Sequence, residues 1–159
     1  MIGIPFLQDK YAATMDLYSQ QSKEFNRNYK FYEHLREGRL TTTRCRSCGQ
    51  RMLPPRVMCP YCTSTDLEWV DLPTRGKVLV FVEQFVGVPL GFDTPHILAI
   101  IDLQGEAKLV SRIINCKAGE LNEGDEVRMV VFPLPAVPVE TRNGIEMKER
   151  VFYAFEPVR

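Results

Sequence analysis

Large apolar residues recur at helical spacing in the first forty positions of the chain. Two sets fall at i, i+4 and i+7, which places each set on one face of a helix. Gly38 is suited to end the second helix, because glycine tolerates a left-handed backbone. We therefore predict N-terminal helices whose apolar stripes pack against the rest of the chain or against a partner, the former being the commoner arrangement. The stripes consist of Tyr11, Met15 and Tyr18, and of Phe25, Tyr29, Tyr32 and Leu35.

From residue 68 onward, runs rich in valine, isoleucine and phenylalanine alternate with turn residues. Five or six such runs in about 90 residues predict antiparallel strands and suit a small Greek-key barrel of the OB type. Asn143-Gly144 is typical of a type I′ hairpin turn. The segment Pro133–Pro138 is predicted to be a loop or a sheet edge, because proline cannot donate a ladder hydrogen bond. The predicted strands are Glu68–Leu72, Gly76–Val86, His96–Leu103, Ala107–Ile114, Glu126–Phe132 and Arg150–Phe155.

The overall composition is that of a soluble globular protein. The chain has 159 residues, of which 45% are hydrophobic and 25% charged. No stretch approaches the roughly 18 consecutive apolar residues of a membrane helix. The first residues, MIGIPFLQDK, lack the pattern of a secretory signal. These features exclude disordered, collagenous and membrane-spanning classes, and we expect a cytoplasmic protein.

The net charge of zero conceals an asymmetry along the chain. Between Lys23 and Arg56 nine basic residues stand against three acidic ones, a net charge of +6. Residues 57–159 carry ten basic and fifteen acidic residues, a net charge of −5. An anionic ligand should prefer the basic segment, although the same pattern arises when arginine and lysine only solvate a helix and a metal ribbon.

Four cysteines form the pattern Cys45-x2-Cys48-x10-Cys59-x2-Cys62. Two such pairs in a short segment place four thiolates where one tetrahedral metal ion can collect them. Disulfides are disfavoured in a reducing cytoplasm, and a redox Cys-x2-Cys motif is disfavoured because there are two pairs and no βαβ context. Four sulfurs leave no open coordination position for water, so the metal is predicted to be structural.

Both zinc and iron suit four sulfur ligands. Cys48-Gly49 and Cys59-Pro60-Tyr61-Cys62 look like rubredoxin knuckles, which hold redox-active iron. No partner cofactor motif suggests electron transfer, so structural zinc is favoured over iron. A knuckle tends to need a positive φ after its last cysteine, where Thr63 stands. We therefore expect the second knuckle to be distorted.

No catalytic array is recognisable in the sequence. The phosphate-binding loops, the zinc-protease motif and the nucleophile elbow are missing. His34 and His96 have no cysteine or serine nearby in sequence and are expected to be structural or surface residues. Cys116 beside Lys117 is expected to be a small, inert, half-buried residue rather than a reactive thiol. We predict no catalytic residue, and a free-standing enzyme is the less favoured alternative.

The order of these parts resembles the acyl-CoA-associated family of zinc-ribbon/OB-fold proteins, long catalogued as domain-of-unknown-function family thirty-five. The resemblance covers about residues 25–159, and the paired cysteines joined to Pro-Pro-Arg and Trp-Val make it specific. Thr63, where the family tends to have glycine, is the visible departure. The matching segments are Phe31–Leu40, Arg44–Gly49, Leu53–Arg56, Cys59–Cys62, Leu67–Val70 and Arg75–Val78.

The resemblance implies a mainly β fold with N-terminal helices in residues 1–39, a rubredoxin-like zinc ribbon in residues 40–67 and an OB-fold β-barrel in residues 68–159. It also implies an accessory subunit that binds or bridges thiolases, hydroxymethylglutaryl-CoA synthase, hydratases or lyases acting on a CoA thioester. No catalytic residue carries over from the family. The implied metal ligands are Cys45, Cys48, Cys59 and Cys62.

Coenzyme A carries several phosphates, which the basic segment could attract, with Arg51 and Arg56 as forked donors near the ribbon. The acyl-pantetheine arm needs an apolar channel, for which Leu90 and Phe92 are candidates. The alternative function is a nucleic-acid-binding module, because OB folds and zinc ribbons both serve that role. The acidic β-domain argues against it, since grooves that follow a nucleic-acid strand are positive.

Overall fold

The computed structural model describes residues 18–88 and 92–159. These residues form a short helix, a three-stranded sheet and a closed five-stranded barrel, so the mainly β fold is confirmed. Of the first predicted helix, Tyr11 and Met15 lie outside the described residues. No described helix is long and apolar enough to cross a membrane. The elements are α1 (Tyr29–Arg36), β1 (Leu40–Cys45), β2 (Arg51–Met52), β3 (Leu67–Leu72), β4 (Arg75–Gln84), β5 (His96–Asp102), β6 (Lys108–Ile113), β7 (Glu126–Thr141) and β8 (Gly144–Pro157).

Helix α1 is shorter than predicted, and its buried face overlaps the predicted stripe at Leu35 and the half-buried Tyr32. It begins at Tyr29, because the preceding residues form a turn in which the Asn28 amide donates to Asn26 Oδ1 at 2.8 Å. Phe25 lies before the helix and is 60% exposed, so its place in the apolar stripe was wrong.

The buried face of α1 is formed by Phe31 and Leu35, four residues apart, which join the barrel core. The helix ends before Gly38, as predicted, with a φ of +75° at that glycine. The helix therefore packs within the chain.

The three-stranded sheet has the order β2-β1-β3 and carries the cysteine segment. Strand β3 pairs along its whole length with β1, with Thr43 opposite Trp69, and not with the barrel. Three consecutive threonines of β1 are buried, and two of them bond to the backbone of later ribbon residues. Thr42 Oγ1 donates to the Met52 carbonyl at 2.5 Å, and Thr43 Oγ1 accepts from the Arg56 amide at 2.9 Å.

The barrel has the strand order β4-β5-β6-β8-β7 and closes where β4 meets β7. Its one parallel pairing joins β6 to β8 at Ile113 and Phe155, and Greek-key barrels of the OB type join sequence-distant strands in this way. Gly76 stands at the closure, where a Cβ atom would lie 2.5 Å from the Asp102 carbonyl oxygen. The close approach of β4 and β5 therefore requires a glycine at that position.

Strands β7 and β8 continue past the barrel as a two-stranded arm. Residues 133–141 of β7 pair only with β8, so the proline segment is a sheet edge, the second of the two predicted alternatives. The buried guanidinium of Arg150 donates to the Pro135 carbonyl at 3.1 and 3.2 Å, across the irregularity in this pairing. The arm ends in a hairpin in which Thr141 pairs with Gly144. Of its turn residues only Gly144 has a positive φ, so the hairpin was right and the type I′ geometry wrong.

Candidate metal centre and the clefts beside it

Each Cys-x2-Cys pair lies in a tight turn held by the same two backbone hydrogen bonds. In the first knuckle the Cys45 amide donates to the Gln50 carbonyl at 2.9 Å, and the Gly49 amide donates to the Cys45 carbonyl at 2.8 Å. The second knuckle repeats both bonds, each at 2.9 Å, between Cys59 and the two residues that follow Cys62. The chain therefore presents its two cysteine pairs in matching backbone frames.

The two knuckles differ at the residue after the second cysteine of each pair. Gly49 has a φ of +75°, and Thr63 has a φ of +59°. The expected need for a positive φ is confirmed, and threonine adopts it although its β-branch disfavours this region. The Thr63 hydroxyl donates to the Cys62 carbonyl at 2.7 Å. The second knuckle keeps both backbone hydrogen bonds of the first, so these bonds do not show the predicted distortion.

The four cysteine sulfurs converge on one point. Their Sγ atoms all lie within 4.8 Å of one another, and the pairs Cys45–Cys62 and Cys48–Cys59 are 3.5 Å apart. A tetrahedral ion with metal–sulfur bonds of about 2.3 Å needs sulfurs about 3.8 Å apart, so the arrangement fits a four-thiolate metal site. A disulfide bond would bring two sulfurs to about 2.05 Å, so the 3.5 Å separations are those of free thiols. Cys45 and Cys59 are buried and the other two are exposed, as expected at a metal site near the surface.

The thiols differ in acidity before any metal is bound. Burial alone would raise the pKa of Cys45, but hydrogen bonds from the Cys48 amide and the Cys62 thiol lower it to about 6. The Gln50 amide favours the Cys48 thiolate, but burial and the neighbouring thiols raise the pKa of Cys48 to about 12. Metal binding must therefore release protons, and metal affinity should rise with pH.

Much of the basic segment is neutralised by acidic residues from later in the chain. Glu68 on β3 accepts from Arg44 and from Arg46 on the neighbouring part of the ribbon, which lowers the pKa of Glu68. Arg39 forms a two-pronged pair with Asp71 at 2.9 and 3.1 Å. The positive charge of residues 23–56 is therefore smaller in the fold than in the sequence.

The structure brings Arg51 and Arg56 to one small cleft of about 150 Å³, beside Tyr61. Arg51 is already engaged, because its Nη1 donates to Glu106 Oε2 of the barrel at 2.7 Å. Arg56 is exposed and forms no ion pair with any described residue, so it is the freer of the two predicted anion contacts.

A larger cleft of about 560 Å³ opens where helix, ribbon and barrel meet. Phe31, Leu53, Phe152 and Tyr153 give it mainly apolar walls. Asn28 also lines it, and the Oδ1 atom of this residue is buried without a hydrogen-bond partner. The cleft could not be foreseen from the sequence, because its walls come from four distant segments. The one signal was the unbroken apolar run around Phe152, which indicates burial on both faces of that strand.

Phe92 lies in a third cleft of about 210 Å³, away from Arg51 and Arg56. The Arg112 guanidinium stacks 4.8 Å from the Phe92 ring centre and 5.5 Å from that of Phe132. His96 is buried against Phe92, and burial followed by the charge of Arg112 lowers its pKa. Leu90, the other predicted contact, lies outside the described residues.

The remaining candidate groups have structural surroundings. His34 Nδ1 lies 2.9 Å from Thr41 Oγ1, and its ring packs edge-on against Trp69. Cys116 is half-buried, and burial followed by the charge of Glu120 raises the pKa of its thiol. These surroundings agree with the structural roles predicted for His34 and Cys116.

Two family models match the chain. The rubredoxin-like zinc ribbon domain of ChsH2 matches residues 33–68, and the C-terminal OB-fold domain of ChsH2 matches residues 69–132. The predicted succession of a zinc ribbon and an OB fold is therefore confirmed.

Proteins with related sequences include a scaffold protein and two enzyme subunits. A DUF35 domain-containing scaffold protein of Methanocaldococcus jannaschii is 32% identical over 103 residues, 62% of this chain and 72% of that protein. Benzoylsuccinyl-CoA thiolase subunit BbsA of Thauera aromatica is 33% identical over 115 residues, 72% of this chain and 74% of the subunit. A probable enoyl-CoA hydratase alpha subunit of Thermomonospora curvata is 27% identical over 127 residues, 72% of this chain and 40% of that protein.

A solved structure titled Ltp2-ChsH2(DUF35) aldolase has the same fold. It superposes with a TM-score of 0.63 at 21% identity and covers 86% of this chain and 98% of the matched chain. The sequence identity to the scaffold protein and the thiolase subunit shows a family relationship in addition to the shared fold. The chain belongs to the DUF35 family of proteins that join a rubredoxin-like zinc ribbon to an OB-fold barrel.

Proposed function

We propose that the chain is a non-catalytic accessory or scaffold subunit that binds or bridges acyl-CoA-processing enzymes of the thiolase or hydroxymethylglutaryl-CoA synthase type. The observation that carries the proposal is the 33% identity to a thiolase subunit across 72% of the chain. Similarity to a scaffold protein and to a hydratase subunit supports the same class of role. Hydratase and lyase subunits are partners of the same kind.

The metal in this proposal is zinc, held by Cys45, Cys48, Cys59 and Cys62 as a closed structural site. Zinc has no redox chemistry and accepts four thiolates in a tetrahedron, which suits a site whose role is to hold two knuckles together. Reduced thiols fit a cytoplasmic protein. We assign residues 1–39 to the N-terminal segment, 40–67 to the ribbon and 68–159 to the barrel domain, whose first strand, β3, pairs with β1 of the ribbon.

The clefts support direct contact with a CoA thioester. The cleft of Arg51 and Arg56 shares Leu53 with the apolar junction cleft, and that cleft shares Phe152 with the cleft of Phe92. The three clefts therefore adjoin one another in series, with Arg51 and Arg56 in the first, mainly apolar walls in the second and Arg112 stacked on Phe92 in the third. Phosphates at the arginines and a pantetheine arm along the apolar walls match this order of chemistry.

The test is purification of the tagged protein from its own cells at moderate salt, with mass spectrometry of what accompanies it. We expect a stoichiometric thiolase, synthase, hydratase or lyase, whose activity changes when this subunit is removed. A protein that stays monomeric beside that enzyme and leaves its activity unchanged overturns the proposal. Salt-dependent binding of single-stranded DNA would instead favour the nucleic-acid alternative.

Contact with CoA is tested separately, by calorimetric titration of the reconstituted complex with CoA. We expect Arg56→Gln to weaken CoA binding several-fold. Arg142→Gln, at the exposed hairpin tip, is the matched control and should leave binding unchanged.

A further inference from the structure

The outer face of strands β4, β5 and β6 is apolar where a water-facing sheet would be polar. An antiparallel sheet with one face in water normally alternates apolar and polar side chains. Val80, Ile100 and Val110 lie opposite one another across the three strands and form one row on the outside of the barrel. Their exposed fractions are 45%, 38% and 64%. Three strands thus place an exposed apolar residue at the same register position.

A second row extends the face along the strands. Val82 is 55% exposed and lies opposite the half-buried Leu98. Past the end of β4, Phe85 and Val86 are 57% and 86% exposed. Scattered exposed apolar residues are normal, but rows aligned over neighbouring strands form a continuous patch, and such patches mark interaction sites.

The charges beside this patch are mainly positive. On its border, in the next outward-facing row, Lys77 and Lys108 flank Asp102. Glu126 of β7 lies opposite Lys77 but is paired with Arg75 at 3.7 Å. Arg112 stands at the end of the second row. Neither lysine forms an ion pair with any residue that the structure describes. A partner with carboxylates around an apolar centre would complement this rim, whereas a second copy would bring another mainly positive rim to it.

The patch is continuous with the proposed ligand clefts. Val110 belongs to the first row and also lines both the junction cleft and the cleft of Phe92. A protein seated on the patch would therefore lie next to a thioester held in those clefts. We propose that this outer face of β4–β6 docks the catalytic subunit of the acyl-CoA enzyme, through an apolar patch on that subunit bordered by acidic residues; this inference rests on the proposed function.

The test measures the affinity between this chain and the enzyme recovered with it, by calorimetry and by light scattering on a sizing column. We expect Val82→Glu to raise the dissociation constant at least tenfold, because it places an unpaired charge in the centre of the contact. Ile145→Glu is the matched control, since Ile145 is 75% exposed on the arm outside the patch. The control should stay within twofold of the wild type.

Charge reversal gives a second, milder variant on the rim. Lys77→Glu should weaken binding several-fold and reduce its salt dependence, whereas Arg142→Glu at the hairpin tip should do neither. Unchanged metal content and melting temperature establish that each variant is folded.

The outcomes separate this inference from the proposed function. Wild-type binding that survives both Val82→Glu and Lys77→Glu overturns the docking face and leaves the accessory role standing. A wild type that binds no acyl-CoA enzyme overturns both. A wild type that forms dimers of itself, which Val82→Glu dissociates while enzyme binding persists, assigns the face to a second copy and overturns the inference.

Discussion

The ribbon and the barrel hold their shapes by different means. The ribbon's own buried cluster consists of Cys45, Met52 and Cys59, with Leu67 packed against it, so two of its three buried members are candidate metal ligands. The barrel cluster contains fourteen buried apolar residues, ten of them from the barrel region itself and the others from α1, β1 and β3. A segment with so few apolar residues needs another source of stability, whereas a full apolar core supplies its own. The metal should therefore matter to one region and little to the other.

Removing a metal ligand should have the largest effect, and it should affect the ribbon far more than the barrel. We expect Cys45→Ser to release the metal and unfold much of residues 40–66, because structural zinc contributes about 10–16 kcal/mol to the folding of small metal domains. The barrel should keep most of its structure, because its core lies elsewhere. Metal analysis together with hydrogen exchange resolved along the chain measures both effects.

Cys116→Ser is the matched control for that experiment, because Cys116 lies outside the four-sulfur cluster. It should retain full metal content and normal exchange in the ribbon. Full metal content in Cys45→Ser would show that the ligand assignment is wrong. Loss of exchange protection throughout the barrel in that variant would show that the two regions fold as one unit.

The opposite experiment destabilises the barrel and spares the metal. Gly76→Ala puts a Cβ atom 2.5 Å from the Asp102 carbonyl oxygen and 2.7 Å from Ile101 Cγ2, where the barrel closes. We expect a loss of about 1–3 kcal/mol, because one of the two strands must move. Thermal melting should show a lower barrel transition with unchanged metal content.

Gly105→Ala serves as the control for the change in residue type, since nothing lies within 4 Å of its Cβ position. Gly105 has a φ of +80°, so this control reports backbone strain without a clash. A Gly76→Ala protein that melts no lower than Gly105→Ala would mean that the closure tolerates a side chain.

The convergence of the four cysteines was predictable from the sequence, and the clefts were not. Ligand spacing within a knuckle is a local property, so Cys45 to Cys62 could be assigned from the pattern alone. Strand β1 was not predicted, because its buried residues include the polar Thr41, Thr42 and Thr43. Their hydroxyls form hydrogen bonds with residues on other parts of the chain. Apolar periodicity does not register such positions.

Charge along the sequence was a poor guide to charge in the fold. The sum of +6 over residues 23–56 treats each arginine as free, but Glu68, Asp71 and Glu106 fold back onto that segment. The residues predicted to contact CoA do not share one cleft. Arg51 pairs with Glu106 of the barrel, and Phe92 lines a different cleft from that of Arg51 and Arg56. Ion pairs between segments distant in sequence decide which charges remain available to a ligand. The spacing of charged residues along the chain does not show which of these pairs form.

The smallest expected effect compares the two knuckles within the ribbon. Gly49→Ala should weaken metal binding by about 1 kcal/mol, because a side chain in a left-handed backbone is strained even though its Cβ would meet nothing within 4 Å. Thr63→Gly should strengthen binding, because it relieves the backbone strain at a φ of +59°. The gain should be slight, because the variant loses the hydroxyl bond to Cys62 and its unfolded chain has more conformational freedom. Competition with a chromophoric zinc chelator measures both changes. Equal weakening by both substitutions would mean that the hydroxyl bond, and not the backbone conformation, governs the second knuckle.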